Sequence, residues 1–331
     1  MKPLKVIQFG TGPMVHAAPI AKALKNLPEY YHLEAIIEEN EELREKAKIC
    51  PAYEGIPFIT WEEALVYHPD AFVVETEEHS LVPTAIRCLK AGYPVYMDKP
   101  GSENCEQFHE MCDLAEEKGL VLSLGYMFRH NPAVKYAHEL VASGKLGEIL
   151  NIETQMSVSS GLDYRKTLSR FGGGMMYYLG CHMIDIIVGF CGFPEEIIPL
   201  NTRSNMDDVD CVDQGFCVYK YSKGISFVKS NATEINSAFR RSIIISGTKG
   251  TFEIRPMEIY LDSLDTVETL AWETLDNEEP WKDHRREVKF KPVRRYDALL
   301  ISFYEYVTGK KENPYTYDYE AKLHDLIMKS C

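Results

Sequence analysis

The sequence predicts an α/β chain in two parts, an N-terminal doubly wound parallel sheet followed by an α+β domain with a large, mostly antiparallel open sheet. Three observations carry this expectation. Across residues 1–125 short apolar runs alternate with amphipathic helical patterns, the signature of βαβ units. Beyond them the strands alternate apolar and polar residues and are joined by glycine turns, as in hairpins. The length of 331 residues exceeds what one typical core absorbs, which sets the domains at 1–125 and 126–331.

Residues 6–9 read as the first strand and run into a glycine turn, followed by a helix over 17–27 in which Pro19 is expected to introduce a kink. Strand 33–37 leads to a charged helix over 41–48, and strand 71–75 to a helix over 81–91 stopped by Gly92. Strand 95–97 precedes a helix over 104–118 with Phe108, Met111, Cys112 and Ala115 on one face and Gly119 as its stop. Strand 120–124 closes the first domain. The second begins with a helix over 133–143 and an alternating strand over 149–158. Gly172-Gly-Gly174 opens a helix over 175–188, after which 216–221 pairs with 225–228, and 242–254 forms a second hairpin. The segments 296–307 and 319–329 read as helices, and the polar stretch 272–292 as a surface excursion.

Composition removes several function classes. A net charge of −14 makes a duplex nucleic acid or an anionic membrane an unfavourable partner. The most apolar stretch, 183–193, is short and carries Asp185, so no bilayer span is expected. The chain passes from Met1 into a strand without an export signal, and its nine cysteines show no C-x-x-C pair, so a reduced cytoplasmic protein without bound metal is expected. The acidic loop of Asp207, Asp208, Asp210 and Asp213 lacks the spacing of calcium loops.

The chemistry-bearing motifs sit at strand ends. Phe9-Gly10-Thr11-Gly12-Pro13-Met14-Val15 is a G-x-G-x-x-G turn with Val15 at the last glycine. The first two glycines serve the tight turn and the approach of a pyrophosphate; the third serves helix packing. Glu38 follows the second strand, where an acid holds ribose hydroxyls, and the alternative is a solvated acidic turn. Glu39, Glu41 and Glu42 crowd that corner with no arginine before Arg44, which favours NAD over NADP. A buried strand then ends in Met97-Asp98-Lys99-Pro100, at the edge where parallel sheets bind ligands.

Together with Gly125-Tyr-Met-Phe-Arg129, Gly144-Lys-Leu-Gly147, Gly180-Cys-His182-Met-Ile-Asp185 and Ile245-Ser-Gly-Thr-Lys-Gly-Thr, in that order, these segments resemble the Gfo/Idh/MocA oxidoreductases across nearly the whole chain. The resemblance implies a Rossmann domain binding NAD and a catalytic Lys99, in a family motif that has Glu where this chain has Asp98. It places Asp98, Lys99, Thr76 and His79 beside the cofactor, with Glu77 and Glu78 replacing the family's Pro-Asn; His79 has helix capping as its alternative. His182, with a reference pKa near ~6.5, is the implied acid–base residue, and Asp185 three residues on is spaced to orient it. Tyr178 stands where many members carry an acid; it is a substrate donor or acid, or it packs. Arg129 and Tyr164 border the implied sugar pocket, or are solvated. The expected reaction is hydride transfer between NAD and a secondary alcohol of a sugar, glycoside or cyclitol, in a homodimer or homotetramer. The alternatives are a redox-neutral, NAD-dependent cleavage of glycosides by oxidation and elimination, and a non-catalytic NAD or sugar sensor.

Overall fold

The computed structural model describes residues 2–12, 16–262, 266–275, 279 and 281–331. Pro13 and Met14, expected at the phosphate turn, lie outside the described residues. The chain divides into two compact units, one of residues 1–127 and 296–324 and one of residues 128–295 and 325–331. Segment 296–324, which the sequence reading assigns to its second domain, thus groups with the first unit.

The first unit alternates strands and helices: β1 (Leu4–Phe9), α1 (Ala17–Lys25), β2 (Tyr31–Ile37), α2 (Glu41–Lys48), β3 (Phe58–Ile59), α3 (Trp61–Tyr67), β4 (Ala71–Val74), α4 (Glu78–Lys90), β5 (Val95–Met97), α5 (Cys105–Lys118) and β6 (Leu122–Leu124). The six strands form one parallel sheet in the order β3-β2-β1-β4-β5-β6. The central β4 and β5 are buried throughout, as strands covered on both faces require. Helix starts are written locally. Asn40 caps α2, Asn104 caps α5, and Thr60 and Glu63 form a reciprocal capping box on α3. Pro19 is the third residue of α1, in the first turn, where its missing N–H removes no intrahelical bond; the expected kink is not required.

Residues 296–324 are fastened to this sheet. Tyr31 donates its hydroxyl to the Leu300 carbonyl at 2.5 Å, and Tyr30 meets Tyr304 edge to face at 5.1 Å. Tyr317 Oη donates to the Leu120 carbonyl at 2.5 Å and Asn313 Nδ2 to that of Leu122 at 3.3 Å, so the edge strand β6 is covered. These anchors are single tyrosines and an asparagine far along the chain, invisible to local periodicity.

The second unit holds α6 (Pro132–Ala142), β7 (Ile149–Gln155), α7 (Leu162–Leu168), a π-helical turn over Met176–Gly180, α8 (Cys181–Cys191), and β8 (Glu196–Pro199) through β12: β9 (Gln214–Tyr221), β10 (Gly224–Asn231), β11 (Ser242–Gly247) and β12 (Thr251–Ile254). Then come β13 (Ile259–Tyr260), β14 (Thr266–Glu268), β15 (Leu270–Thr274), β16 (Arg286–Lys289) and β17 (Val293–Arg294). Eight strands form a sheet ordered β16-β15-β12-β11-β7-β10-β9-β8, antiparallel except for the parallel pair β7–β10. The expected hairpins are β9–β10 and β11–β12. Burial alternates along β9 and β10, so one face is core, and α8 packs on β7 and β10. The polar stretch 272–292 is not only an excursion. It contains the end of β15 and all of β16, whose charged residues suit a sheet edge. No helix among the described residues is long and apolar enough to cross a membrane.

Candidate functional site

In the first unit the strands are parallel, so β1, β4 and β5 bring their carboxyl ends, and the residues after them, to one edge. Gly10 follows β1 with φ +100°, and a Cβ there would lie 2.4 Å from the Thr76 nitrogen, so only glycine closes this turn onto the loop after β4. The Gly10 N–H donates to the Ile37 carbonyl at 2.7 Å and that of Gly12 to the Glu75 carbonyl at 3.2 Å.

Glu38 ties the ends of β1 and β2 together. Its Oε2 accepts from the backbone N–H and the hydroxyl of Thr11, both at 2.7 Å, and its Oε1 accepts from the Asn40 N–H at 3.0 Å. A carboxylate offers roughly four acceptor positions, so capacity remains on Oε1 for a ribose hydroxyl. Glu38 borders a cleft of about 350 Å³, together with Phe9, Asn40, Thr76, His79 and Arg87. That volume falls within the range of ~300–1,000 Å³ typical of small-molecule sites. The buried Thr76 Oγ1 has no hydrogen-bond partner among the described residues, an acceptor and donor left for a ligand. These features fit the adenosine side of a dinucleotide. His79 is the second residue of α4, whose cap position is Glu77, so the capping alternative falls away.

One residue of this cleft has no counterpart in the sequence reading. Arg87, on α4, donates from Nη1 to Glu39 Oε1 at 2.7 Å, with its guanidinium 4.5 Å from the Trp61 ring centre. No local signal joins residues 48 positions apart.

Lys99 follows β5 and is 4% exposed, the only buried lysine among the described residues. A lysine merely ending a strand at the surface would be solvated; burial at a ligand-binding edge is a different situation. Asp98 is equally enclosed. It accepts the Lys99 backbone N–H at 2.8 Å and faces His16 Nδ1 at 3.2 Å. Burial pushes the Asp98 carboxyl up, but His16 and Lys99 outweigh it and hold it below the usual range. Glu75, following β4, is fully buried with neither carboxyl oxygen partnered among the described residues. Burial drives its carboxyl well above the ordinary range; the Asp98 charge adds to this and Lys99 opposes it.

In the second unit the three-glycine run serves the chain's own packing. Gly174 has φ +49°, and a Cβ on it would lie 2.0 Å from the Val212 carbonyl oxygen. The helix after it begins with the π-turn, which contains Tyr178; such turns are frequent at functional sites. The Tyr178 ring is 6% exposed, edge to face with Tyr164 at 5.8 Å and stacked on Phe171 at 6.1 Å. Tyr164 Oη reaches Met175 Sδ at 3.8 Å. His182 opens α8, buried, with its ring edge to face with Phe128 at 5.1 Å.

Asp185 and Arg129 form a buried ion pair. Arg129 Nε donates to both carboxylate oxygens at 2.9 and 3.0 Å, and Nη2 donates to Oδ1 at 2.7 Å. The carboxylate that spacing assigned to His182, and the guanidinium assigned to substrate hydroxyls, are thus bound to each other. Arg165, buried beside Tyr164 in sequence, donates to the Ser160 carbonyl at 2.8 Å and pairs with Asp207 of the acidic loop.

Residues 4–126 match the oxidoreductase family with an NAD-binding Rossmann fold, and residues 134–253 match the GFO/IDH/MocA C-terminal domain. The chain belongs to the GFO/IDH/MocA family. An uncharacterised oxidoreductase of Schizosaccharomyces pombe is 26% identical over 269 residues, covering 76% of this chain and 71% of the relative. A D-glucoside 3-dehydrogenase of Escherichia coli is 31% identical over 136 residues, 39% of this chain and 38% of the relative. The aldose-aldose oxidoreductase of Caulobacter crescentus superposes with a TM-score of 0.81 at 19% identity, over 99% of this chain and 97% of that one, which shows a shared fold. The family's N-terminal domain binds NAD, and the cleft at Glu38 lies within the segment that matches it.

Two expectations follow. A carboxyl whose folded-state pKa is raised contributes its stability below the unfolded value and loses it as pH rises. Glu75→Gln should therefore stabilise the protein against urea at pH 8, with the gain vanishing near pH 4; equal or lower stability at pH 8 would contradict the burial argument. Asp185→Ala, which leaves Arg129 buried without its bidentate partner, should lose about 3–5 kcal/mol in urea unfolding, and Arg129→Met in that background should restore part of it.

Proposed function

We propose that the chain is an NAD-dependent oxidoreductase acting on a secondary alcohol of a sugar, glycoside or cyclitol. The observation that carries the reading is the seating of Lys99, an ammonium enclosed among acids at the carboxyl edge of a parallel sheet in an NAD-binding domain. Glu38 and Thr76 would hold the cofactor by its ribose and phosphate side, and bound NAD supplies a hydride acceptor. His182 takes the proton of the substrate hydroxyl, and Lys99 donates a hydrogen bond to that oxygen as negative charge develops on it. The carbon gives up its hydride, so the alcohol becomes a ketone and one proton is left on the imidazole. Tyr178 donates a hydrogen bond from its phenol hydroxyl to the substrate in this reading.

The relative active on D-glucosides supports a sugar-like substrate. The half-buried face of the large sheet, where Phe216 stacks on Phe227 at 5.3 Å, supports a homodimer or homotetramer.

Lys99→Ala and His182→Ala should each lower kcat by ~10² or more when assayed well below their melting temperatures, the usual contribution of a positioned acid–base or hydrogen-bonding group. Lys99→Ala should also lower the melting temperature, because Asp98 and Glu75 lose a buried cation. Full turnover in either variant removes that residue from the reaction. A panel of sugars and glycosides supplies the assay, with NADH absorbance and released aglycone followed together. Tyr178→Phe separates the routes. A pocket donor should show a loss of ~1–2 kcal/mol in kcat/KM, the scale of one hydrogen bond. Product formed without net NADH, with aglycone release abolished in Tyr178→Phe while single-turnover NADH persists, would establish the redox-neutral cleavage instead.

A further inference from the structure

The cleft at the end of β2 carries a charge pattern that the cofactor reading leaves unexplained. Two consecutive acids stand there in different states. Glu38 is 8% exposed and bound to Thr11 and Asn40. Glu39 points outward, its side chain 58% exposed, and holds Arg87, the single arginine or lysine among the described residues lining the cleft. We propose that the Glu39–Arg87 pair sets the choice between NAD and NADP, by neutralising the one lysine or arginine among the described residues of the cleft that is placed to meet a ribose 2′-phosphate; this rests on the NAD reading above.

Three features support the assignment. Arg87 is held by more than its ion pair: its guanidinium lies 4.5 Å from the centre of Trp61 and 5.7 Å from that of Phe9. Those rings are themselves fixed, Trp61 against Phe9 at 6.1 Å and against Phe72 at 5.4 Å. Removing Glu39 therefore leaves the guanidinium stacked at the cleft wall, presenting donors in the fork geometry that suits phosphate. Exposed ion pairs contribute little to stability, so the pair can be dissolved without unfolding the corner. With Glu39 present its charge cancels that of Arg87, and Glu38 and Glu77 of the same cleft leave a negative corner that repels a phosphate and suits hydroxyls.

The test is titration of NAD and NADP, followed by protein fluorescence, on the full-length protein, Glu39→Ala, Arg87→Ala and the double variant, with melting temperatures as a check on folding. The parent should bind NAD about tenfold or more tightly than NADP. Glu39→Ala should tighten NADP by about tenfold, shift NAD by no more than about threefold, and show an NADP affinity that weakens with added salt. Arg87→Ala in the Glu39→Ala background should abolish the gain. If Glu39→Ala leaves NADP affinity unchanged while the parent binds NAD, the proposal is overturned and the cofactor reading stands. A gain that persists in the double variant overturns the role of Arg87. A parent protein that binds neither nucleotide overturns both.

Discussion

Charge held inside the carboxyl edge of a parallel sheet is the constraint on which the first unit depends. Three strands, β1, β4 and β5, deliver Gly10, Glu75 and Asp98-Lys99 to one place because they run in the same direction. Removing an ammonium or carboxylate from water costs several kcal/mol, and the attraction of neighbours repays it only with good geometry. The arrangement answers this by mixing signs. Asp98 stays ionised against His16 and Lys99, while Glu75, with no hydrogen-bond partner among the described residues, is driven toward its neutral form. The apolar strands beneath, buried along their length, supply the surplus that lets such an edge exist.

The second unit obeys the same rule by a different device. Two of its buried cations are paired: Arg129 to Asp185 with bidentate geometry, and Arg165 to Ser160 and Asp207. His182 and Tyr178 have aromatic neighbours, Phe128 beside the first and Tyr164 and Phe171 beside the second. Aromatic walls fix orientation without adding charge.

What was legible in the sequence follows from range. The parallel sheet, the Gly10 turn, Lys99 at a strand end and the two hairpins were readable because each is written in adjacent residues through period and turn chemistry. Arg87 was not, because the pairing with Glu39 spans 48 positions and α4 gives no hint of which loop its outer face meets. The same holds for Asp185, whose spacing suggested His182 and whose partner is Arg129, 56 residues away. The glycine run reads in sequence only as the opening of a helix, whereas Gly174 also makes room for the Val212 carbonyl. Edge strand β16 was hidden by its own charge: the residues that keep an edge from pairing with other chains also make it read as loop.

The acid corner shows how a local motif and a distant residue divide one task. Glu38 is built into the fold, since its carboxylate closes the Thr11 turn, and its replacement would disturb that turn. Glu39 has no such structural duty; its contact is an exposed one with Arg87. A position free of structural duty is one where a single substitution can change the charge offered to a ligand without changing the backbone that offers it. Cofactor preference in this chain is therefore expected to be a separable property, set at Glu39 and Arg87, while cofactor binding itself stays with the turn, Glu38 and Thr76.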